Sequence, residues 1–263
     1  MTLVSTNPHG GETLVTHRVH DAHEIDLRLT RAHDAQRAWR SVPRAARADH
    51  LRRIAVALRA HVDVLATTAT MEMGKPITAA RGEVEKCAVC CEWYADHASL
   101  LDTLPGPLPG DEIRHDPLGV LFAIMPWNFP YWQVMRVVAP ALLVGNTVVL
   151  KLAENVSGCA LALETALQDA GGLDGLLQVL LVSHDAAPGI IADARIAAVT
   201  LTGSERAGAA VAAAAGAALK PVVLELGGSD PFLVWHDVDV PAVARAAALA
   251  RCQNSGQSCI AAK

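Results

Sequence analysis

The sequence predicts an α/β protein built around a doubly wound, mostly parallel β-sheet, for three reasons. The chain has 263 residues, of which 52% are hydrophobic, so it can bury a substantial core. From Val120 onward, short apolar runs alternate with stretches of helical periodicity. The runs are almost continuously apolar, as in strands buried on both faces, and helices between strands imply parallel pairing. The candidate strands cover residues 120–125, 147–150, 177–182, 197–201, 222–226 and 232–235.

The N-terminal part, residues 1–101, is predicted to be mainly helical. Asp21 and Glu24 have the spacing of a capping box, which predicts the start of a helix that runs towards Trp39. Apolar residues at helical spacing predict two further helices. These helices cover residues 48–73 and 78–101.

A loop or extended arm divides the chain. Between Asp102 and Gly119, four prolines and three glycines interrupt any regular period. The α/β pattern follows the arm, and a last helix is predicted over residues 241–252. The sequence therefore predicts four parts: N-terminal helices, an arm, an α/β unit and a final segment. They span residues 1–101, 102–119, 120–238 and 239–263.

Charge and composition exclude several classes of function. The formal net charge is −5, from 22 basic and 27 acidic side chains, and the basic residues are scattered along the chain. This distribution predicts no binding to nucleic acid or to an anionic membrane surface and favours a small-molecule partner. The alanine-rich run at 207–219 contains two glycines and is shorter than the roughly 18 apolar residues that span a bilayer.

The cysteines and histidines do not predict a disulfide framework or a metal site. Six cysteines are irregularly spaced and no signal-peptide pattern opens the chain, so we expect reduced thiols and a cytoplasmic location. Residues 17–23 contain three histidines, and residues 87–91 contain three cysteines. His17 precedes the capped helix, which disfavours a metal site in the histidine cluster. The cysteines lie in an amphipathic helix without a second ligand pair and are expected to pack in the core.

Residues 126–130, Pro-Trp-Asn-Phe-Pro, follow the first candidate strand. The two prolines fix the backbone on both sides of Asn128, so its amide could donate to an oxyanion that develops during a reaction. The alternative is a Pro-rich turn in which asparagine is an ordinary turn residue.

A carboxylate and a thiol lie in two later segments. Glu225 ends a candidate strand just before Gly227 and Gly228, where it could act as a general base; a solvated strand-end glutamate is the alternative. Cys259 follows a helix in a small polar turn, and an inert core cysteine is the alternative there. A thiol, an amide donor and a carboxylate on separate loops together favour nucleophilic attack on a carbonyl group.

Standard nucleotide-binding motifs are missing. The chain has neither the dinucleotide fingerprint nor the P-loop pattern. Gly203 and Gly208 flank a helix start after a candidate strand, where backbone N–H groups could meet a pyrophosphate. Plain turn chemistry explains these glycines as well.

Taken together, these segments resemble the aldehyde dehydrogenase superfamily, whose members carry PWNFP, a glutamate in ELGG and a cysteine in GQxC in this order. The resemblance extends along the whole chain and includes EMGKP at residues 72–76, Lys151 with Glu154, and the Thr-Gly-Ser sequence at 202–204. The stretches LTGSE, LELGGSDPF and QNSGQSCIAAK look most like bacterial succinate-semialdehyde dehydrogenases.

The resemblance implies the fold, the catalytic residues and the cofactor. It implies a Rossmann-like domain that binds NAD or NADP, with Cys259 as nucleophile, Glu225 as general base and Asn128 as oxyanion donor. The implied cofactor contacts are Trp127, Asn128, Lys151, Glu154, Gly203, Ser204 and Leu226. Glu154 favours NAD, because a carboxylate beside the adenosine ribose would repel a 2′-phosphate, although similar enzymes often carry a neutral residue there.

The resemblance also implies a substrate class. Arg136 stands where succinate-semialdehyde dehydrogenases use an arginine to bind the substrate carboxylate. Some of these enzymes carry a second arginine before the nucleophile, and that position is Gln253 here. A structural ion pair is the alternative role for Arg136.

Members of the family are considerably longer than this chain, which ends four residues after Cys259. The chain is therefore expected to be the N-terminal half, with a truncated catalytic domain and, at full length, an arm that joins copies in a homo-oligomer. Aldehyde oxidation, most directly of succinate semialdehyde, is the first hypothesis. The alternative is an inactive fragment that retains at most nucleotide binding. A cysteine hydrolase would need a histidine near Cys259, and none can be assigned.

Overall fold

The N-terminal part consists of a β-hairpin followed by helices. The structure, a computed structural model, describes residues 2–262. Asp21 accepts a hydrogen bond from the backbone N–H of Glu24 and Glu24 accepts one from that of Asp21, so the predicted capping box is confirmed. The elements are β1 (Thr2–Thr6), β2 (Thr13–Arg18), α1 (Ala22–Trp39), α2 (Arg44–Ala60), α3 (Val62–Met73) and α4 (Ile77–Asp96).

One expectation for this part was wrong, and one feature of it was not predicted. The single helix expected over 48–73 is broken at His61 into α2 and α3, which are bent by 66°. The strands β1 and β2, which pair antiparallel, were not predicted. Within residues 2–262, no single helix is long and apolar enough to cross a membrane, and α2 with α3 reaches that size only as a bent pair.

The arm at residues 102–119 is exposed along most of its length, as its lack of periodicity predicts. It contains a short antiparallel pair, β3 (Leu104–Pro105) with β4 (Glu112–Ile113).

The central sheet has five strands, all of them parallel. The strands are β5 (Val120–Met125), β6 (Thr147–Leu152), β7 (Leu177–Val179), β8 (Ile196–Thr202) and β9 (Val222–Glu225). The helices between them are α5 (Trp132–Val144), α6 (Ser157–Asp169), α7 (Ala187–Ala192) and α8 (Glu205–Ala217). The order β7-β6-β5-β8-β9 confirms the predicted doubly wound, Rossmann-like topology.

Helices cover both faces of the sheet, and this explains why its strands are almost continuously apolar. On one face, Phe122 and Val149 belong to a core that α1, α7 and α8 complete. On the other face, Ala123 and Leu150 belong to a core formed with α5 and α6, against which α2, α3 and α4 pack. Successive residues of β5 thus pack into the two cores in turn, as the pleat of a strand requires.

The segment after β9 is largely exposed. Residues 232–235, predicted as a strand, form no strand, and Leu233 and Trp235 are 81% and 74% exposed. The helix α9 (Val240–Cys252) matches its prediction but has no buried residue. An apolar run predicts a buried strand only where a neighbouring strand and a covering layer exist, and residues 232–235 have neither here.

Candidate active site

The candidate site lies at the carboxyl ends of β5, β8 and β9. In this sheet order the chain runs outward in one direction from β5 to β7 and in the other direction through β8 and β9. The crevice between β5 and β8 is therefore the topological switch point, where open α/β sheets bind ligands. The loop that contains Asn128 follows β5, and Gly203 with Ser204 follows β8.

The loop after β5 contacts the segment that carries Cys259. The side-chain amide of Asn128 donates a hydrogen bond to the carbonyl oxygen of Gln257 at 2.9 Å. In return, the amide of Asn254 donates to the carbonyl oxygen of Asn128 at 2.8 Å. The donor predicted to stabilise an oxyanion thus has a backbone acceptor in this structure.

A strained turn makes this contact possible. Asn254, Ser255 and Gly256 all adopt left-handed backbone angles, with φ of 52°, 58° and 73°. Non-glycine residues rarely adopt this conformation, and such strain persists where surrounding contacts hold it. The Asn254 hydrogen bonds to Asn128 and Gln257 are contacts of this kind.

The segment after β9 approaches the backbone of Cys259. A Cβ atom added at Gly228 would lie 3.0 Å from the carbonyl oxygen of Cys259. A side chain at position 228 would therefore require the backbone at Cys259 to shift. Cys259 is a free, partly buried thiol, whereas Cys252 at the end of α9 is exposed. The loops of Asn128, Glu225 and Cys259 thus form one connected surface.

Glu225 and Arg136 form an ion pair. The Glu225 carboxylate, at the end of β9, lies 3.4 Å from the guanidinium of Arg136 on α5. Their side chains are 53% and 31% exposed, so the pair contributes little to stability and opens at low cost. The residue predicted as general base and the residue predicted to bind the substrate carboxylate therefore lie next to each other.

Besides the crevice between β5 and β8, a cleft of about 400 Å³ lies between α7, α8 and the carboxyl end of β6. Three basic side chains, Lys151, His184 and Arg206, line it together with apolar groups such as Ile191 and Leu201. Burial lowers the pKa of the Lys151 ammonium, and the nearby Glu154 carboxylate opposes this shift. A cleft with apolar walls and several basic groups fits a planar ring that carries phosphates.

Glu154 lies between two of these basic groups. Its carboxylate oxygen is 4.0 Å from Nζ of Lys151 and 4.0 Å from Nδ1 of His184. The Lys151 ammonium thus lies close enough to Glu154 to offset part of its repulsion of an added phosphate.

The loop after β8 and the segment after β9 pack closely at the start of α8. Ser204 caps the helix by accepting from the backbone N–H of Ala207, and the N–H of Gly203 donates to the carbonyl oxygen of Glu225 at 2.9 Å. A Cβ atom at Gly208 would lie 2.6 Å from the Leu226 side chain. A side chain at position 208 would therefore require the end of the Leu226 side chain to move.

Trp127 lines a third, open cleft, of about 650 Å³. It is 37% exposed and shares the cleft with Asn155, Ser255 and Gln257. This cleft connects the loop after β5 with the Cys259 segment.

Comparison with known proteins decides the family. The model of the aldehyde dehydrogenase family matches residues 1–263. The chain belongs to the aldehyde dehydrogenase family. It is 48% identical to the succinate semialdehyde dehydrogenase (NAD(P)+) Sad of Escherichia coli K12, over 99% of this chain and 57% of that protein. It is 46% identical to the "Probable succinate-semialdehyde dehydrogenase" (NADP(+)) of Synechocystis sp., over 100% of this chain and 59% of that protein.

Solved structures of this family have the same fold. Succinic semialdehyde dehydrogenase from Streptococcus pyogenes, in complex with NADP+, superposes with a TM-score of 0.94 at 36% identity, over 98% of this chain and 58% of that one. The chain thus spans somewhat under 60% of the length of these relatives. The predicted family and fold are confirmed.

The roles of two buried carboxylates next to the candidate site were not predicted from the sequence. Glu72 accepts hydrogen bonds from the N–H groups of Gly158 and Cys159 at the start of α6, and from the Ser5 hydroxyl. Glu83 accepts hydrogen bonds at the start of α5. A detectable signal was present for Glu83, because it lies at helical spacing among Ala80, Val84 and Cys87, all of which are core residues.

Proposed function

We propose that this sequence belongs to an enzyme that oxidises an aldehyde to a carboxylic acid with a nicotinamide dinucleotide. The observation that carries the proposal is the contact between loops: the amide of Asn128 on Gln257 and the backbone of Cys259 against Gly228. These contacts support a proposal in which the thiol of Cys259, the amide of Asn128 and the carboxylate of Glu225 act on one substrate. A hydrolase or a simple binding module would not need this set beside a cleft suited to a dinucleotide.

The proposed reaction begins with addition of the Cys259 thiolate to the aldehyde carbon, which forms a C–S bond and a tetrahedral alkoxide. The alkoxide accepts a hydrogen bond from the Asn128 amide, which exchanges its Gln257 acceptor for the substrate oxygen. When bound, the nicotinamide supplies an acceptor for the aldehyde hydrogen as hydride, which leaves a thioester on Cys259. Glu225 then takes a proton from water, the resulting hydroxide attacks the thioester, and the thiolate leaves as the acid forms.

The cleft lined by Lys151, His184 and Arg206 is the proposed site of the adenosine half of the cofactor. In this proposal Gly203 and Ser204 present the start of α8 to the pyrophosphate, and Trp127 and Leu226 are assigned to the reacting end. The sequence-based preference for NAD gains no support from the relatives, which are named for NADP(+) or NAD(P)+. We propose that the site binds NAD and NADP, and that Glu154 sets the preference between them.

Replacing Glu154 by serine is expected to strengthen NADP binding about tenfold relative to NAD. The substitution removes a negative charge from between Lys151 and His184 and leaves both basic groups free for a 2′-phosphate. Titration calorimetry with both cofactors measures the ratio of dissociation constants. Glu112→Ser, which makes the same charge change in the exposed arm, is the control and should leave the ratio unchanged. An unchanged ratio in Glu154→Ser would show that this residue does not select the cofactor.

Succinate semialdehyde is the proposed substrate. Arg136 lies beside Glu225 at the edge of the crevice, where its guanidinium can bind a carboxylate at the far end of a short aldehyde. The relatives named succinate-semialdehyde dehydrogenases support the same choice.

The proposal is tested by comparing the chain as given with a chimera that joins it to the C-terminal part of the Escherichia coli relative. Both are assayed with succinate semialdehyde and each cofactor, and cofactor binding is measured separately. Turnover by the chain or by the chimera supports the proposed function. A folded chimera that binds the cofactor without turnover would overturn it. If only the chimera turns over, the chain by itself is the nucleotide-binding half of the enzyme, which is the second candidate because the basic cleft lies wholly within residues 124–214.

A further inference from the structure

A buried ion pair lies behind the loop that carries Asn128. The ammonium group of Lys75, which lies two residues before α4, donates to one carboxylate oxygen of Glu83 on α4. The two side chains are 0% and 2% exposed. Removing two charges from water is costly, and an apolar pair of similar volume commonly stabilises a fold at least as well. The pair therefore needs an explanation other than stability alone.

The second oxygen of Glu83 holds the start of α5. It accepts hydrogen bonds from the backbone N–H groups of Tyr131 and Trp132, both at 2.8 Å. These donors have no partner within their own helix, and a carboxylate at a helix N-terminus is also favoured by the helix dipole. Tyr131 is further fixed because its hydroxyl donates to the carbonyl oxygen of Leu65 at 2.6 Å. The chain is thus anchored immediately after Pro130.

Lys75 contacts the same loop on the other side of Pro130. Its Nζ atom lies 4.6 Å from the centre of the Phe129 ring, which is the geometry of a cation–π contact. The pair therefore holds residue 129 through Lys75 and residues 131 and 132 through Glu83. Asn128 directly precedes these anchors, and β5 fixes the chain on its other side at Met125.

We propose that Glu83 and Lys75 are positioning residues for Asn128. They fix the loop after β5 so that the Asn128 amide points towards the Cys259 segment, where it now meets the carbonyl oxygen of Gln257. As far as it concerns catalysis, this inference rests on the proposed function, in which the same amide binds the oxyanion. Neither residue touches substrate or cofactor in this proposal, and both act through the backbone of residues 129–132.

Nuclear magnetic resonance tests the positioning without any turnover. The chain contains five asparagines, so selective ¹⁵N-asparagine labelling gives few side-chain amide signals, and Asn128→Ala assigns the signal of interest. Glu83→Gln and Lys75→Met are expected to shift or broaden the Asn128 signal. The Asn146 signal should not move, because that side chain binds Gly119 at the opposite end of the sheet.

The control variant is Glu164→Gln. Glu164 is also a buried carboxylate that accepts from a backbone N–H, that of Val179, and pairs with an arginine, Arg28, but it lies away from the loop after β5. This variant should leave the Asn128 signal in place. An Asn128 signal that stays unmoved in folded Glu83→Gln, or that moves equally in Glu164→Gln, would overturn the proposal.

A double variant covers the case in which a single substitution leaves a buried charge unpaired and prevents folding. Lys75→Met with Glu83→Gln contains neither charge and keeps an amide oxygen that can accept from Tyr131 and Trp132. Loss of the contact with Phe129 is still expected to move the Asn128 signal. A signal at the wild-type position in this variant would show that the pair does not position Asn128.

The kinetic test uses whichever form, chain or chimera, turns over. Glu83→Gln and the double variant are expected to lower kcat by up to about a hundredfold, because small displacements of a catalytic group have effects of this size. KM for the aldehyde and the cofactor dissociation constant should change little, and Glu164→Gln should retain the wild-type kcat. If neither form turns over, the proposed function fails, and the NMR experiment still decides the positioning. Unchanged kcat in Glu83→Gln would contradict the catalytic part of the inference.

Discussion

Replacing Cys259 by alanine is expected to abolish aldehyde oxidation, with a fall in kcat of about 10⁴-fold or more. Removal of a nucleophile leaves only the catalysis that binding and hydrogen-bond donors provide. Cofactor affinity should not change, because the basic cleft between α7 and α8 does not include this residue. The measurements are the rate of nicotinamide reduction in the active form and the cofactor dissociation constant in the same preparation.

Cys252→Ala is the matched control. Cys252 is also a free thiol, lies on the preceding helix and is more exposed than Cys259. It should retain full activity, and a thiol-alkylating reagent should still inactivate this variant. Activity that survives in Cys259→Ala, or an equal loss in Cys252→Ala, would remove Cys259 as the proposed nucleophile.

The strands β5 to β8 could be predicted because both of their faces are largely buried, whereas alternate residues of β9 are exposed. β6 has no exposed residue, and its apolar run alone identifies it as a buried strand without knowledge of the strands beside it. The helices α1 and α9 could be predicted equally well, because capping residues or a proline mark their first turns. Such signals depend on the segment itself and not on the rest of the fold.

Features that no local signal marks could not be predicted. β1 and β2 stabilise each other and bury few side chains, so their sequences alternate weakly. Residues 232–235 are apolar but exposed, and nothing within the segment distinguishes this case from a buried strand. The break at His61 is not marked by proline or glycine, and the periodicity continues across it.

The sequence indicated candidate site residues but not their hydrogen-bond partners. The family motifs contain Asn128 and Glu225, yet no local pattern predicts that Asn128 donates to Gln257 or that Glu225 pairs with Arg136. The buried pair of Lys75 and Glu83 was also missed, because charged residues on helices are usually solvated. These contacts join segments that are far apart in the chain, and only the fold brings them together.

The ion pair between Arg136 and Glu225 leads to a prediction about substrate choice. A substrate carboxylate that binds Arg136 must displace the Glu225 carboxylate, which is 3.4 Å away. The displaced Glu225 is then free to activate water. Binding of an aldehyde that carries a carboxylate would thus both hold the substrate and release the proposed base, whereas an uncharged aldehyde would leave the pair intact.

Arg136→Met is therefore expected to lower kcat/KM for succinate semialdehyde by about ten- to a hundredfold, mainly through KM. The value follows from the roughly 1.5–3 kcal/mol that a charge-assisted hydrogen bond contributes, at about 1.4 kcal/mol for each factor of ten. Butanal has the same chain length and lacks the carboxylate, so it serves as the internal control. Its kcat/KM should stay the same or rise, because the substitution also frees Glu225. Parallel initial-rate measurements with the two aldehydes give both values.

The two aldehydes separate the possible roles of Arg136. An equal fall for both substrates would show that Arg136 supports the structure of α5 and β9 and not the substrate. No change for either would place the substrate carboxylate elsewhere. A fall in kcat/KM for succinate semialdehyde combined with a rise for butanal is the result that only the displacement of Glu225 explains. In that case the Arg136 guanidinium binds the proposed base before the substrate arrives and the substrate carboxylate afterwards.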